Sequence, residues 1–231
     1  IFCLTLAVNY ADSSLIFTDK EWFILQSLSP ATFVLDATNS WDQNETAAQI
    51  GQIVFFDKRF SSNKKVSCAT CHDPKKYFTD GKQVAVGTGQ TTRNAPTVLN
   101  VAHQRWFFWD GRSDTLWDQP IQTMEHPDEM NISREEVLKI ISNDENLSNL
   151  WIKIFGPMDK VNINKNAANL AKSIAAYITK LEASHAPFDD FVGGDKNAIS
   201  SSAQRGLKYF ITEGGCLRCH FSPWFSDGAF H

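Results

Sequence analysis

Two stretches of sequence decide the fold of this chain, Cys68-Ala69-Thr70-Cys71-His72 and Cys216-Leu217-Arg218-Cys219-His220. In each stretch a histidine directly follows a pair of cysteines separated by two residues. Cysteines at this spacing share one turn of helix, so each thiol can add to a vinyl group of the same haem. The neighbouring histidine is then placed to bind the haem iron as proximal ligand. The repeated motif predicts two covalently attached haems of the c type.

Two other readings of the cysteines remain. Paired Cys-x-x-Cys knuckles can hold zinc, but such pairs usually lie about 15–20 residues apart, whereas Cys71 and Cys216 are distant in the chain. Structural disulfides are common in exported proteins, but they leave the two histidines unexplained. Both readings account for less of the pattern than two haems do.

The composition is that of an ordinary globular protein. The chain has 231 residues, of which 42% are hydrophobic and 21% charged, enough for one large or two small domains. Its net charge of -4 excludes a nucleic-acid partner of the usual basic kind. The 17 Phe and 7 Trp residues suit a protein that encloses a flat apolar cofactor, although core packing explains them nearly as well.

The chain begins with an apolar run. Residues 1–8 read IFCLTLAV and are followed by small and polar residues. This run is too short to span a bilayer but is typical of the end of a secretion signal. We expect residues 1–11 to be a partial signal peptide that carries Cys3 away, which implies export to the periplasm. A buried strand is the alternative. No other segment approaches transmembrane length, so no membrane span is expected.

Hydrophobic spacing predicts an all-α fold. Apolar residues recur at helical spacing from Glu45 onward, and most clearly over residues 165–184. A further helix is expected over residues 200–211. Residues 12–44 have no sustained period and are expected to be irregular. Residues 73–100 are rich in Gly, Thr, Pro and Lys and predict a long loop.

Capping residues refine this picture. Ser133 and Glu136 form the pattern of a capping box, which predicts a helix start. Ser113 is a candidate cap for another helix, in which Pro120 must lie in the first turn or produce a kink. Pro187 is expected to interrupt the helical pattern.

Three further stretches lie between the haem motifs: RNAPT at residues 93–97, RWFFWDGR at 105–112 and EHPDEM at 125–130. With these stretches in this order, the chain resembles the di-haem bacterial cytochrome c peroxidase family, which includes the MauG-type enzymes. The resemblance extends from about Gly51 to the end of the chain. It implies two cytochrome c-like haem domains.

The resemblance also implies how these domains divide the chain. Residues 36–185 would form the N-terminal domain with the peroxidatic haem. Residues 186–231 would begin the C-terminal domain with the electron-transfer haem. Because family members continue well beyond the second motif, we expect the second domain to be incomplete here and the chain to be a fragment truncated at both ends.

Individual roles follow from the same resemblance. His72 and His220 would be the proximal ligands of the peroxidatic and electron-transfer haems. Trp109 would relay electrons between the haems, a role suited to an indole ring. Glu129 would be the acid–base catalyst above the first haem. Without the resemblance, Trp109 would be taken as a core aromatic beside a glycine turn and Glu129 as a surface carboxylate.

Three further positions match the family or depart from it. Gln119 matches a position near the catalytic pocket. Asn94 matches a ligand of a calcium ion between the domains, a role that suits an amide oxygen. Thr123 stands where the family usually has proline, which implies a change in pocket shape.

One departure concerns access to the first haem. Many family members carry a distal histidine after the first motif, but residues 73–102 contain neither His nor Met. The first haem is therefore expected to be open in the oxidised protein, with water or a weak donor such as Tyr77 at the iron.

Three functions are consistent with these features. The first is a di-haem peroxidase that reduces hydrogen peroxide with electrons from a small cytochrome c or cupredoxin. The second is a MauG-like oxidase that modifies Trp or Tyr residues of a protein substrate. The third is a non-catalytic electron carrier, against which Glu129 and Gln119 argue. A homodimer is expected for the full-length protein, as is a calcium ion.

Overall fold

Helices supply the regular secondary structure wherever the structure, a computed structural model, describes the chain: residues 17–29, 36–159, 161–183 and 185–231. The predicted all-α class is confirmed. The helices of these ranges are α1 Asp19–Ser27, α2 Glu45–Phe56, α3 Cys68–Cys71, α4 Asp118–Glu125, α5 Arg134–Asn143, α6 Glu145–Phe155, α7 Ile163–Ile178, α8 Pro187–Val192 and α9 Ser201–Ile211. None of them is long and apolar enough to cross a bilayer. The predicted signal segment, residues 1–11 with Cys3, lies outside the described residues.

The described chain forms two compact units. The larger lies within residues 33–183 and contains α2 to α7, and the smaller combines described residues of 1–32 and 184–231. In the smaller unit α1 packs against α8 and α9. The peroxidatic and electron-transfer roles expected for residues 36–185 and 186–231 stay predictions.

The crossing of α2 and α7 is the centre of the larger unit. The Asn44 side chain caps α2 through the Ala47 amide, which explains why the helix begins at Glu45 as expected. At Gly51 the backbones nearly touch, since a Cβ atom there would lie 2.0 Å from the Ser173 carbonyl oxygen. The glycine therefore permits the close approach that buries the apolar faces of both helices.

The helix predicted over residues 165–184 ends earlier, at Ile178. The chain then turns back toward Asn100, whose backbone N–H donates to the Leu181 carbonyl at 3.0 Å. The Asn100 side chain in turn accepts from the Ala183 N–H at 2.8 Å. These contacts take the place of further helical hydrogen bonds after Ile178. They also connect the chain after α7 to the loop that contains Asn100.

Two sequence expectations were wrong because short helices form where the hydrophobic period is weak. Residues 12–44 were expected to be irregular, but Thr18 and Glu21 form a capping box that starts α1. Pro187 was expected to interrupt a helix, but it lies at the first position of α8, where the missing N–H costs nothing. Residues 12–16 and 30–35 lie outside the described residues.

Two of the remaining predicted helix starts agree with the structure and one does not. Ser133 caps α5 as predicted, and α9 spans Ser201–Ile211, capped by Ser200. Ser113 does not cap a helix, because its hydroxyl donates to the Thr115 carbonyl at 3.0 Å. The helix begins instead at Asp118, with Pro120 in its first turn as expected.

Candidate active site

The first motif folds into a single helical turn. The Ser67 N–H donates to Thr70 Oγ1 at 2.9 Å, and the Thr70 N–H donates to the Ser67 carbonyl at the same distance. The His72 N–H closes the turn on the Cys68 carbonyl at 2.9 Å. This reciprocal cap holds Cys68 and Cys71 one turn apart, as attachment to one haem requires.

The His72 ring is held by two backbone carbonyls. Its Nδ1 lies 3.2 Å from the Phe78 oxygen and 3.0 Å from the Pro96 oxygen. Because carbonyls only accept hydrogen bonds, Nδ1 carries the proton and Nε2 is left free as a metal ligand. Burial lowers the pKa of His72, which favours the neutral ring that binds metals.

A cavity of about 590 Å³ borders this motif, and its wall includes Cys68, Cys71 and His72. Phe55, Phe107 and other apolar side chains form part of the same wall. Burial raises the pKa of the Cys68 thiol to about 12, so this position suits an uncharged thioether and disfavours the thiolate that zinc needs. The residues present therefore fit a covalently attached haem.

The cavity wall also contains Glu129. Its side chain is 26% exposed, and burial raises the pKa of its carboxyl group above the usual value. A raised pKa brings a carboxyl group closer to the range in which it can both accept and return a proton.

The loop of residues 86–90 fixes the backbone at Glu129. The Thr88 N–H donates to the Glu129 carbonyl at 2.8 Å, and the Gly89 N–H donates to the Asp128 carbonyl at 3.1 Å. A Cβ atom at Gly87 would lie 2.3 Å from the Glu129 carbonyl oxygen. Only a glycine at position 87 allows the loop to lie so close to the backbone of Glu129.

Helix α4 places Gln119 and Thr123 on the same wall. The Gln119 Nε2 donates to Thr123 Oγ1 at 2.8 Å. His126 also lies on the wall, although no role was predicted for it, and its Nδ1 lies 4.0 Å from a Glu129 carboxylate oxygen. The sequence signal for the Gln119–Thr123 hydrogen bond is the separation of four residues, which places both side chains on one face of a helix.

Trp109 lies in a loop pinned by charged pairs. Asp110 accepts from the guanidinium groups of Arg93 at 2.9 Å and Arg112 at 2.8 Å, which lowers the pKa of its carboxyl group to about 2. The indole of Trp109 lies on the wall of the same cavity as Cys68, Cys71 and His72. Its Nε1 donates to the Asn94 carbonyl at 3.0 Å.

Asn94 itself is exposed. Its backbone carbonyl holds Trp109, while its side-chain amide makes no hydrogen bond within the described residues. The roles expected for Trp109 in electron transfer and for Asn94 in calcium binding stay predictions.

The second motif repeats the local geometry of the first. The His220 N–H donates to the Cys216 carbonyl at 2.9 Å, and His220 Nδ1 lies 2.8 Å from the Phe225 carbonyl oxygen. The proton is again fixed on Nδ1 and Nε2 is left free. Unlike His72, His220 is exposed to solvent. Cys216, Cys219 and His220 thus have the local arrangement of a haem c site.

Comparison with known proteins agrees with this geometry. A sequence model described as di-haem cytochrome c peroxidase matches residues 45–197. The methylamine utilization protein MauG of Methylorubrum extorquens is 36% identical over 79% of this chain and 51% of its own length. The cytochrome-c peroxidase IdrP2 of a Pseudomonas species is 37% identical over 81% of this chain and 50% of its own length.

Solved structures give the same result. The di-haem peroxidase BthA from Burkholderia thailandensis has a TM-score of 0.68 and 27% identity, over 84% of this chain and 55% of its own. A MauG-like protein associated with microbial copper homeostasis has a TM-score of 0.74 and 25% identity, over 87% of this chain and 60% of its own. The chain spans about half the length of the curated relatives it matches. It belongs to the di-haem cytochrome c peroxidase family, which implies haem c as its cofactor.

Proposed function

We propose that the protein is a di-haem peroxidase that reduces hydrogen peroxide to water with electrons from a small cytochrome c or cupredoxin. The observation that carries the proposal is the half-buried carboxyl group of Glu129 on the wall of the cavity that also contains Cys68, Cys71 and His72. A proton-transferring group inside a haem cavity is what peroxide cleavage needs and what simple electron transfer does not. The electron-carrier reading is the weaker one for this reason.

The protein's own part is to hold the haem and to move protons. Cys68 and Cys71 would form the two thioether bonds, and His72 would bind the iron through Nε2. When bound, the haem supplies the electrons that cleave the O–O bond. The overall reaction consumes two electrons and two protons for each peroxide and releases two waters.

Glu129 would handle the proton that has to move from one peroxide oxygen to the other. Its raised pKa favours this exchange because an acid–base catalyst works best when its pKa lies near the working pH. Gln119 would help to orient peroxide in the same cavity. Trp109 would carry electrons toward the first haem from a second haem at Cys216, Cys219 and His220.

A MauG-like oxidase that modifies Trp or Tyr residues of a protein substrate is the second candidate. It is supported by the absence of His and Met from residues 73–102 and by the similarity to the MauG protein of Methylorubrum extorquens.

The remaining parts of the proposal concern the whole protein. We propose export to the periplasm, a second covalent haem at the second motif, and a calcium ion that uses the Asn94 side chain as one of its ligands. We also propose that the whole protein forms a homodimer.

The Glu129→Gln variant tests the role of the carboxyl group. Because the amide cannot accept the proton, we expect the first reaction of the oxidised protein with peroxide to slow by about 10²–10⁴-fold in stopped-flow measurements. The pH dependence of that step should also disappear.

The control is Glu135→Gln, which removes an equal charge from an exposed position on α5. It should react like the wild type. A Glu129→Gln variant that reacts as fast as the control would contradict the proposed function.

A further inference from the structure

A cluster of aromatic side chains extends from His72 to the surface of the larger unit. The Phe55 ring lies on the cavity wall, and its centroid is 6.4 Å from that of the His72 ring. The centroid of the Tyr177 ring is 5.3 Å from that of Phe55 and 6.3 Å from that of Phe56. Phe56 is 44% exposed. The rings therefore form a continuous series from the haem-binding histidine through Tyr177 to solvent.

The crossing of α2 and α7 builds this cluster. Phe55 and Phe56 are the last two residues of α2, and Tyr177 is the last residue but one of α7. The Phe55 and Tyr177 rings meet at 64°, in the edge-to-face arrangement that aromatic pairs favour. Both rings belong to the buried core of the larger unit, so core packing fixes their separation.

Tyr177 is the member of the cluster that gives up an electron most readily. The oxygen of a phenol stabilises the positive hole that is left behind, and its proton can then leave, whereas the ring of phenylalanine has neither advantage. Burial raises the pKa of Tyr177, so the hydroxyl group is protonated at neutral pH. Loss of an electron from Tyr177 is therefore coupled to loss of this proton.

We propose that Tyr177 is an internal electron source for the first haem site, used when hydrogen peroxide arrives and no electron donor is bound. The inference rests on the proposed function, because peroxide is the oxidant. It goes beyond that function by assigning a second fate to the oxidising power of peroxide. One oxidising equivalent leaves the cavity and is held on Tyr177, in the core between α2 and α7.

The electrons and protons of this step balance. Conversion of one peroxide to two waters breaks the O–O bond and consumes two electrons and two protons. Tyr177 supplies one electron through Phe55 and His72, and its O–H bond breaks to release one proton. Water takes up this proton, because 8% of Tyr177 is exposed. The second electron comes from the haem group and the second proton from solvent. Tyr177 is left as a neutral tyrosyl radical.

Trp109 is the competing oxidisable side chain on the cavity wall. Its Nε1 donates to the Asn94 carbonyl at 3.0 Å, and a carbonyl oxygen is too weak a base to take the indole proton. A positive hole on Trp109 therefore keeps its charge and passes on easily, which suits a relay. Tyr177 loses its proton to water and so retains the radical.

The test is freeze-quench electron paramagnetic resonance of the oxidised full-length protein after mixing with hydrogen peroxide without a donor. We expect a radical signal whose hyperfine splitting narrows when the protein is made with ring-deuterated tyrosine. Such narrowing identifies a tyrosyl radical. The splitting also depends on the side-chain torsion, so it differs between tyrosines. Tyr177→Phe, which keeps the ring and removes the hydroxyl group, should lose this signal.

Two further substitutions serve as controls. Tyr209→Phe changes an exposed tyrosine on α9, and Tyr77→Phe changes an exposed tyrosine next to Phe78. Both variants should keep the signal of the wild type. Circular dichroism and the haem spectrum establish that each variant is folded and loaded.

The outcomes separate the inference from the proposed function. If peroxide is consumed but no tyrosyl signal forms, or if the signal is unchanged in Tyr177→Phe, the role of Tyr177 is overturned and the proposed function stands. Loss of the signal in Tyr77→Phe or Tyr209→Phe would place the radical elsewhere and overturn the inference as well. If the oxidised wild type does not react with peroxide, the proposed function fails, and the inference fails with it.

Discussion

Asp42 is a carboxyl group that folding removes from water. It is 3% exposed, and burial, with a further contribution from the charge of Asp36, raises the pKa of Asp42 from 3.8 to about 6. The folded protein therefore binds this proton more tightly than the unfolded chain does. Such a group adds most to stability at low pH, and its contribution is lost as the pH rises from about 4 through 6.

We predict that Asp42→Asn removes the decrease in stability that ionisation of Asp42 causes as the pH rises. The variant should match the wild type in stability near pH 4 and exceed it by about 2–3 kcal/mol at pH 7, since one pKa unit corresponds to about 1.4 kcal/mol. Denaturant unfolding of both proteins across this range measures the difference. A difference that does not change with pH would show that Asp42 is ionised in the folded protein as easily as in the unfolded chain.

The residues of the site could be predicted from the sequence to different depths. The spacing of Cys68, Cys71 and His72 is enough to define their chemistry, because attachment to haem depends on local geometry. The contact between the segment that carries Glu129 and the end of α4 could not be foreseen. It depends on a return of the chain in which the Met130 and Ile132 N–H groups donate to the Thr123 and Met124 carbonyls.

At the scale of elements, the loop of residues 86–90 is a support for Glu129. Gly87 has no room for a Cβ atom, which would meet the Glu129 backbone. We predict that Gly87→Ala displaces Glu129 and slows the reaction with peroxide by at least ~10-fold, since small misplacements of catalytic groups are costly. Stopped-flow kinetics measures this effect, and haem content should stay unchanged.

The matched control is Gln90→Ala at an exposed position of the same loop. It should keep the rate of the wild type. Equal rates in the two variants would show that the loop does not position Glu129.

The crossing of α2 and α7 gives a prediction about stability. Gly51→Ala places a methyl group against the backbone of Ser173, so we expect a loss of about 1–3 kcal/mol as the helices move apart. Gly206→Ala on α9 meets no atom within 4 Å and should stabilise its helix by about 0.5–1 kcal/mol. Thermal unfolding followed by circular dichroism compares them. A Gly51→Ala variant as stable as the wild type would mean that the crossing is loose.

Helices with a clear period and a strong cap were predictable, and the others were not. The start of α2 at Glu45 and the capping box of α5 agree with the structure. Helices α1 and α8 could not be predicted because short helices carry too little hydrophobic period. The Thr18–Glu21 capping box starts α1, whereas α8 starts at Pro187, where Asp189 accepts from the Ala186 N–H. The early end of α7 was also hidden, since it depends on the distant Asn100.

At the scale of the whole molecule, the chain holds two haem motifs, one in each compact unit. The family could be recognised from the order of motifs in the sequence, and the comparisons confirm it. What the sequence does not contain is the choice between peroxide reduction and oxidation of a partner protein, because that choice depends on surfaces and partners of the whole protein.

We expect the cavity beside His72 to be open to peroxide in the oxidised protein. Electron paramagnetic resonance of the oxidised full-length protein tests it most directly. Because residues 73–102 offer no nitrogen or sulfur ligand from His or Met, we predict a high-spin ferric signal that accounts for one haem per chain. Low-spin signals from both haems would contradict the claim. They would indicate that a nitrogen ligand such as His126 on the cavity wall binds the first haem. The His126→Asn substitution would then convert that haem to the high-spin form.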